Sequence, residues 1–202
     1  VLGTNFANNI SGGNGSQAIF AMGGNDTLSG NGGSDILVGG QGNDTVFGNG
    51  GDDWIFQTGA SDGRDVINGG AGIDTYTLSG VTGAETFNIF ARAAFLTANP
   101  GAALSGGTEI VITRNGTVIA ELDNIEEIRV NGLLTTAQDG NGVVTGGVSD
   151  GDTVNVIGNF GDGLNLPTSL TSLLFNTIRF TGSNANDTVD ITGLQSDHRI
   201  VF

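Results

Sequence analysis

An all-β fold with a repetitive first part is what this sequence predicts, on three observations. Glycine supplies 37 of the 202 residues, while proline supplies two. An apolar residue recurs about every nine positions through residue 77, in phase with an acidic or amide residue. Beyond residue 77, short stretches of alternating and β-branched residues keep returning.

Composition removes several classes of function. The chain carries 21 Asp or Glu against six Arg and no Lys, a net charge of −15. A basic patch for phosphate neutralisation is therefore excluded, and docking on anionic lipid is disfavoured. A cation is the partner that the charge favours, and a metal ion is the smallest one. With no Cys, no disulfide or thiolate metal site can form. No apolar run reaches the roughly 18 residues of a membrane-spanning helix. Two Pro and a nine-residue period exclude collagen, which needs Gly at every third position. The chain starts at Val1 with no basic and apolar leader and stops at Phe202 just after a strand-like HRIVF, which reads as a piece of a longer protein.

The repeat is visible when the sequence is cut every nine residues from Gly12. The blocks are GGNGSQAIF, AMGGNDTLS, GNGGSDILV, GGQGNDTVF and GNGGDDWIF. An insertion at Gln57 to Gly59 precedes ASDGRDVIN and GGAGIDTYT, and a degenerate GTNFANNIS leads the series from Gly3. Column four holds Gly15, Gly24, Gly33, Gly42, Gly51, Gly63 and Gly72. Glycine there predicts a tight turn that needs positive φ. Column six holds Asn8, Gln17, Asp26, Asp35, Asp44, Asp53, Asp65 and Asp74. Column eight holds Ile10, Ile19, Leu28, Leu37, Val46, Ile55, Ile67 and Tyr76, the middle of a short strand with one residue facing inward. A flexible Gly-rich linker would not keep an apolar residue in phase with an acidic one.

The pattern G-G-x-G-x-D-x-U-x over Gly3 to Thr77 resembles the calcium-binding nonapeptide of RTX proteins. The resemblance implies a parallel β-roll, with two nonapeptides per 18-residue coil and coils about 4.8 Å apart. Each block then sits over the block two further on. That stacks Asp26 with Asp44 and Asp35 with Asp53, then Asp44 with Asp65 and Asp53 with Asp74.

Such a stack calls for a cation. Carboxylates about 5 Å apart repel by roughly 3 kcal/mol at an effective dielectric of 20. Each nonapeptide buries about one large side chain, worth roughly 1.5–3 kcal/mol. Several Ca²⁺ ions are expected, since Ca²⁺ takes six to eight oxygens in loose geometry, whereas Mg²⁺ wants a strict octahedron. Zinc or copper would favour His or Cys, and His198 is the only one of either. The expected ligands are the carboxylates of Asp26, Asp35, Asp44, Asp53, Asp65 and Asp74, with carbonyls from turn glycines Gly24, Gly33, Gly42, Gly51, Gly63 and Gly72. Asn8 and Gln17 lack carboxylates, so their turns should be weak or empty sites in a capping coil. Affinities of about 10⁻⁴–10⁻³ M are expected if the sites resemble extracellular modules. The family resemblance also implies one-step (type I) export of an unfolded chain that folds outside the bacterial cell.

Past Thr77 a looser repeat takes over, (D/N)-T-(V/I/Y)-x-apolar-x-G: DTYTLSG from Asp74, DTVNVIG from Asp152, NTIRFTG from Asn176 and DTVDITG from Asp187. ETFNIF from Glu85, EIVITR from Glu109, VIAEL from Val118 and EEIRVNG from Glu126 are related strands. The expectation is a parallel solenoid with wider coils over 78–202, with a separate small β-sandwich as the alternative. Ala91 to Ala103 is the helix candidate, ending before Pro100 and covering an open edge. SNANDTVDI reads as another degenerate nonapeptide with Asp187 in column six. The stretch from Glu121 to Phe202 resembles segments of very large secreted bacterial RTX proteins, some with animal-type haem peroxidase domains. No peroxidase motif lies in it.

Other candidate chemistry is weaker. His198 has no identifiable catalytic partner, and no G-x-S-x-G elbow exists. GNGGSD and its cousins lack the Lys of a phosphate loop. Asp52–Asp53 and Glu126–Glu127 could suggest a glycosidase, but neighbours along a strand face opposite sides. Asp139, Asp150, Asp152 and Asp187 are candidates for extra ions, with turn chemistry as the plainer reading. Trp54, in column seven, points outward and marks either a loop contact or an interaction surface. The N-x-T triplets at Asn25, Asn43 and Asn186 belong to the repeat.

Three functions stay open on the sequence. The first is a non-catalytic calcium-binding structural module, secreted or at the cell surface. The second is a subunit of a calcium-dependent surface assembly (S-layer, filament or adhesin) that self-associates or contacts cells. The third is an accessory region of a larger secreted enzyme.

Overall fold

The computed structural model describes residues 1–59, 61–81, 83–131, 151–160, 177–182, 186–195 and 199–201. Among these, strands dominate and form two sheets facing one another across a single apolar core. The first sheet holds, in spatial order, β1 (Leu2–Thr4), β3 (Ala18–Met22), β5 (Ile36–Val38), β7 (Trp54–Gln57), β9 (Thr75–Ser79), β13 (Glu127–Asn131), β15 (Thr177–Thr181) and β17 (Arg199–Val201). Every pairing in it is parallel. The second sheet starts with β2 (Asn9–Ser11), β4 (Thr27–Gly32), β6 (Thr45–Gly50) and β8 (Asp65–Ala71), also parallel. The chain crosses between sheets at each turn, so the all-β parallel roll expected from the repeat is what forms.

The nine-residue period sets the core. Column eight stacks in register as Ile19, Leu37, Ile55 and Tyr76 on one sheet, and as Ile10, Leu28, Val46 and Ile67 on the other. All but Ile10 are buried. Burying a side chain of this kind is worth roughly 1.5–3 kcal/mol. One such contact per nine residues gives a thin core, and the turns must contribute the rest.

The insertion at Gln57 to Gly59 is absorbed without loss of register, since Val46 pairs with Ile67 and Ile55 with Tyr76. Gln57 is buried there, accepting the Tyr76 hydroxyl and donating to the Ile119 carbonyl at 3.2 Å.

Beyond residue 77 the strands join the same two sheets. Ile128 and Ile178 continue the stack above Tyr76, and Leu122 continues it above Ile67. The solenoid reading therefore holds in the main, and a separate sandwich does not form among the described strands. One part departs from it. β10 (Thr86–Ala91), β11 (Ile110–Arg114) and β12 (Thr117–Asp123) form an antiparallel meander inside the second sheet. β12 then runs parallel to β8, and β10 parallel to β14 (Thr153–Ile157), which pairs with β16 (Thr188–Asp190). The physical reason is local. Asn115 and Gly116, at φ 50° and 81°, make the two-residue turn between β11 and β12, which returns the chain antiparallel instead of crossing sheets.

The helix α1 spans Arg92–Ala98, shorter than the Ala91 to Ala103 stretch. It lacks a side-chain N-cap and is anchored by Phe95, whose ring meets Phe90 at 5.6 Å. It packs on β10 and β11, in the interior of the second sheet, so it does not cover an open edge as the sequence suggested. Among the described residues no helix is long and apolar enough to cross a membrane.

Candidate metal centre

Each turn places its column-six residue beneath that of the next coil. The backbone N–H of Asp26 donates to Oδ1 of Asp44 at 2.8 Å, and that of Asp44 to Oδ1 of Asp65 at 2.9 Å. On the opposite side Asp35 donates to Asp53 at 2.7 Å and Asp53 to Asp74 at 2.8 Å. These are the four pairs that the nonapeptide register implies. The carboxylates are buried, each residue being 5% exposed or less.

Only one oxygen is served in five of these six carboxylates. Oδ2 of Asp26, Asp35, Asp44, Asp53 and Asp74 is buried with no hydrogen-bond partner among the described residues. A desolvated charged acceptor of this sort costs at least about 1–3 kcal/mol. Burial pushes the Asp44 and Asp53 carboxyls up to about 6, Asp74 to about 7 and Asp65 to about 8, and the neighbouring carboxylates push the same way. The metal-free fold thus holds acids that resist ionising near neutral pH.

Glycine makes room for these acids. A Cβ on Gly39 would sit 2.2 Å from Oδ2 of Asp44, and one on Gly48 would sit 2.3 Å from Oδ2 of Asp53. The six column-four glycines proposed from sequence, Gly24, Gly33, Gly42, Gly51, Gly63 and Gly72, all have positive φ, from 76° to 144°. At Gly42 even a methyl group would lie 2.0 Å from the Gly24 carbonyl of the coil below. Backbone oxygen and carboxylate oxygen are thus both concentrated in these turns.

That donor set is hard, anionic and free of nitrogen and sulfur, which suits Ca²⁺. Among the described residues no three acidic or imidazole side chains converge. A cation in a turn would therefore complete its shell with main-chain carbonyls. Asn8 and Gln17 differ from the aspartates in a telling way. Asn8 Oδ1 accepts the Thr4 N–H at 2.7 Å and Gln17 Oε1 accepts the Gly13 N–H at 2.9 Å, so their amides satisfy their own turns.

Several contributors were missed in the sequence. Column five forms a second ladder: Asn43 N–H donates to Asn25 Oδ1, Arg64 N–H to Asn43 Oδ1 and Ile73 N–H to Asp52 Oδ1. The triplets at Asn25 and Asn43 are explained by this role. Glu126 extends the acidic ladder, with Oε2 accepting the Asp74 N–H at 2.8 Å, while Glu127 is buried beside Arg129 at 2.8 Å and Arg179 at 3.7 Å. The two glutamates thus serve different partners. A third ladder joins Glu85, Asp152 and Asp187, at 2.9 and 3.0 Å. Its signal was present, because Gly80 to Asn88 reads GVTGAETFN, the nonapeptide with Glu in place of Asp. Asp139, Asp150 and His198 lie outside the described residues. Trp54 is 40% exposed on the outer face, with its ring under the Arg129 guanidinium at 4.7 Å.

A family model described as the RTX calcium-binding nonapeptide repeat (4 copies) matches residues 2–37, 29–56 and 60–76. The first part of the chain thus carries RTX calcium-binding repeats, which imply a Ca²⁺-binding β-roll module. No curated protein matches the chain.

Proposed function

We propose that this chain is a calcium-binding module that completes its fold when the ions bind outside the cell, and that it works as a stiffening element and not as a catalyst. Residues 1–77 are the metal-binding unit, and 78–202 cap and support it. The carboxylates of Asp26, Asp35, Asp44, Asp53, Asp65 and Asp74 would hold several Ca²⁺ ions, with carbonyls from the turns at Gly24, Gly33, Gly42, Gly51, Gly63 and Gly72. The ions would supply positive charge and oxygen coordination to acids that otherwise face one another. The observation that carries this reading is the row of buried Oδ2 atoms that have no hydrogen-bond donor among the described residues. Low free calcium inside a cell and high calcium outside fit folding after export, in line with a secreted bacterial protein that leaves by a type I route.

A second reading has one observation in its favour. The outer face of the first sheet exposes Phe20, Ile36 and Trp54 at 38–42%; Ile36 on β5 pairs with Trp54 on β7, and Phe20 on β3 lies two residues along, opposite Val38. That apolar strip suits a subunit of a calcium-dependent surface assembly. One titration separates the readings. Far-UV circular dichroism and light scattering are followed together from chelator to millimolar Ca²⁺. The module gains β signal and compacts, whereas an assembly subunit gains β signal and grows. Identical spectra at both ends would overturn both.

A further inference from the structure

The carboxylate ladder on one side of the roll is broken, and an arginine occupies the break. Asp26, Asp44 and Asp65 climb one coil at a time on the turns that lead into β4, β6 and β8. The next turn of this kind, between β9 and β10, carries Glu85. Yet β10 is not the neighbour of β8, because β12 and β11 lie between them. Asp65 pairs instead with Ala120, which bears no charge. The ladder resumes only at Glu85, whose N–H donates to Asp152, and Asp152 to Asp187.

Arg114, the last residue of β11, is 8% exposed and reaches the turns on both sides of this gap. One terminal nitrogen donates to the Gly59 carbonyl at 3.0 Å, in the turn before β8. The other donates to the Ser79 carbonyl at 2.8 Å, where the turn before β10 begins. Nε lies 3.1 Å from Oε1 of Glu85, which ends that turn. The guanidinium carbon sits 5.4 Å over the Phe87 ring, which shields the site from below. Asp62, 5% exposed, stands in the same turn as Gly59, its carboxylate accepting the Thr58 and Gly59 N–H groups at 2.6 and 2.7 Å. The cation thus has two main-chain carbonyls and a carboxylate around it. A planar fork with five donors can hold such an oxygen set permanently.

We propose that Arg114 is a built-in cation spanning the break in the ladder, so that β9 to β12 stay folded with no metal bound and offer the repeats a fixed end on which to stack. The second clause rests on calcium-dependent folding of the repeats; the first does not.

Hydrogen exchange read by mass spectrometry on the full chain in chelator tests it. In the unaltered protein, amides of β9 to β12 should be protected while those of β2 to β6 exchange nearly as in an unfolded chain. Arg114→Gln should lower protection in β9 to β12 by about a hundredfold or more, the size expected when one half of a buried ion pair is lost. Glu85→Gln keeps the shape, removes the charge and should act in the same direction. It decides the matter if Arg114→Gln does not fold in any medium. Unchanged protection in these variants, or no protection of β9 to β12 in the unaltered chain, overturns the proposal. Full protection of the repeats in chelator overturns the calcium reading instead, and leaves Arg114 to be judged by the variants.

Discussion

At the scale of single residues, the aspartates of column six do two jobs with two oxygens. Oδ1 accepts an amide from the coil below, and in all but Asp65 Oδ2 is left buried without a partner among the described residues. Asp44 takes part in two such steps, as acceptor from Asp26 and as donor to Asp65. Asp123 lies outside the ladders: its carboxylate accepts the Asn68 side-chain amide at 2.6 Å and the Asn124 backbone N–H. Asp44→Asn should therefore raise the calcium concentration needed for folding well above that for Asp123→Asn, by about tenfold or more if one ligand is worth at least 1.4 kcal/mol. Calorimetric titration of both variants gives the comparison, and equal shifts would remove Asp44 from the site. Much of this was legible from residues alone, because the period of nine fixes both which acid stacks on which and which glycine must turn. Glu126 was not legible as a ladder member, since its place over Asp74 comes from a strand 52 residues further along the chain.

At the scale of elements, the turn with its two flanking strands is the unit that binds or repels. In each of these turns burial raises the carboxyls of Asp44 and Asp53 to about 6, Asp74 to about 7 and Asp65 to about 8, against an ordinary 3.8. A group whose folded value lies above its unfolded one gives stability that is full below the unfolded value and lost as pH rises through the folded value. In the metal-free roll this contribution should thus be full below about 3.8, fall as pH rises and be lost once pH passes about 6 to 8. Metal-stripped protein should show stronger β dichroism and a higher Tm in mildly acid buffer than in mildly alkaline buffer. With calcium present the slope should reverse, since the ions need deprotonated ligands. A metal-stripped sample that loses structure on acidification would contradict the ladder energetics. The sequence was also a good guide to strand content beyond residue 77, where β-branched alternation marked β11, β12 and β14. It was a poor guide to direction, because alternation reads the same in parallel and antiparallel strands. Only Asn115 and Gly116, a tight-turn pair, distinguished the meander from another coil.

At the scale of the whole molecule, the question is whether calcium acts as a general counter-ion or as a bound part of the fold. The net charge of −15 allows either, since self-repulsion alone weakens a compact state. Burial separates them. Charges in water are screened by simple salt over about 8–10 Å at physiological ionic strength, but buried ones are screened much less. The six column-six aspartates are 0–5% exposed, so sodium ions in bulk solution cannot relieve them. Asp52 is exposed and would respond to salt, but its Oδ1 accepts the Ile73 N–H and is not buried among the column-six acids. Adding NaCl to about 0.5 M in chelator, where screening acts within a few ångströms, should therefore leave the dichroism of the repeats largely unfolded. Millimolar Ca²⁺ at low salt should fold them, although it contributes far less ionic strength. If salt alone produced the calcium spectrum, the fold would depend on total charge and the ladder would lose its role. If neither did, the β9 to β12 region would have to carry the repeats by packing alone, and a core with one buried side chain per nine residues is too thin for that.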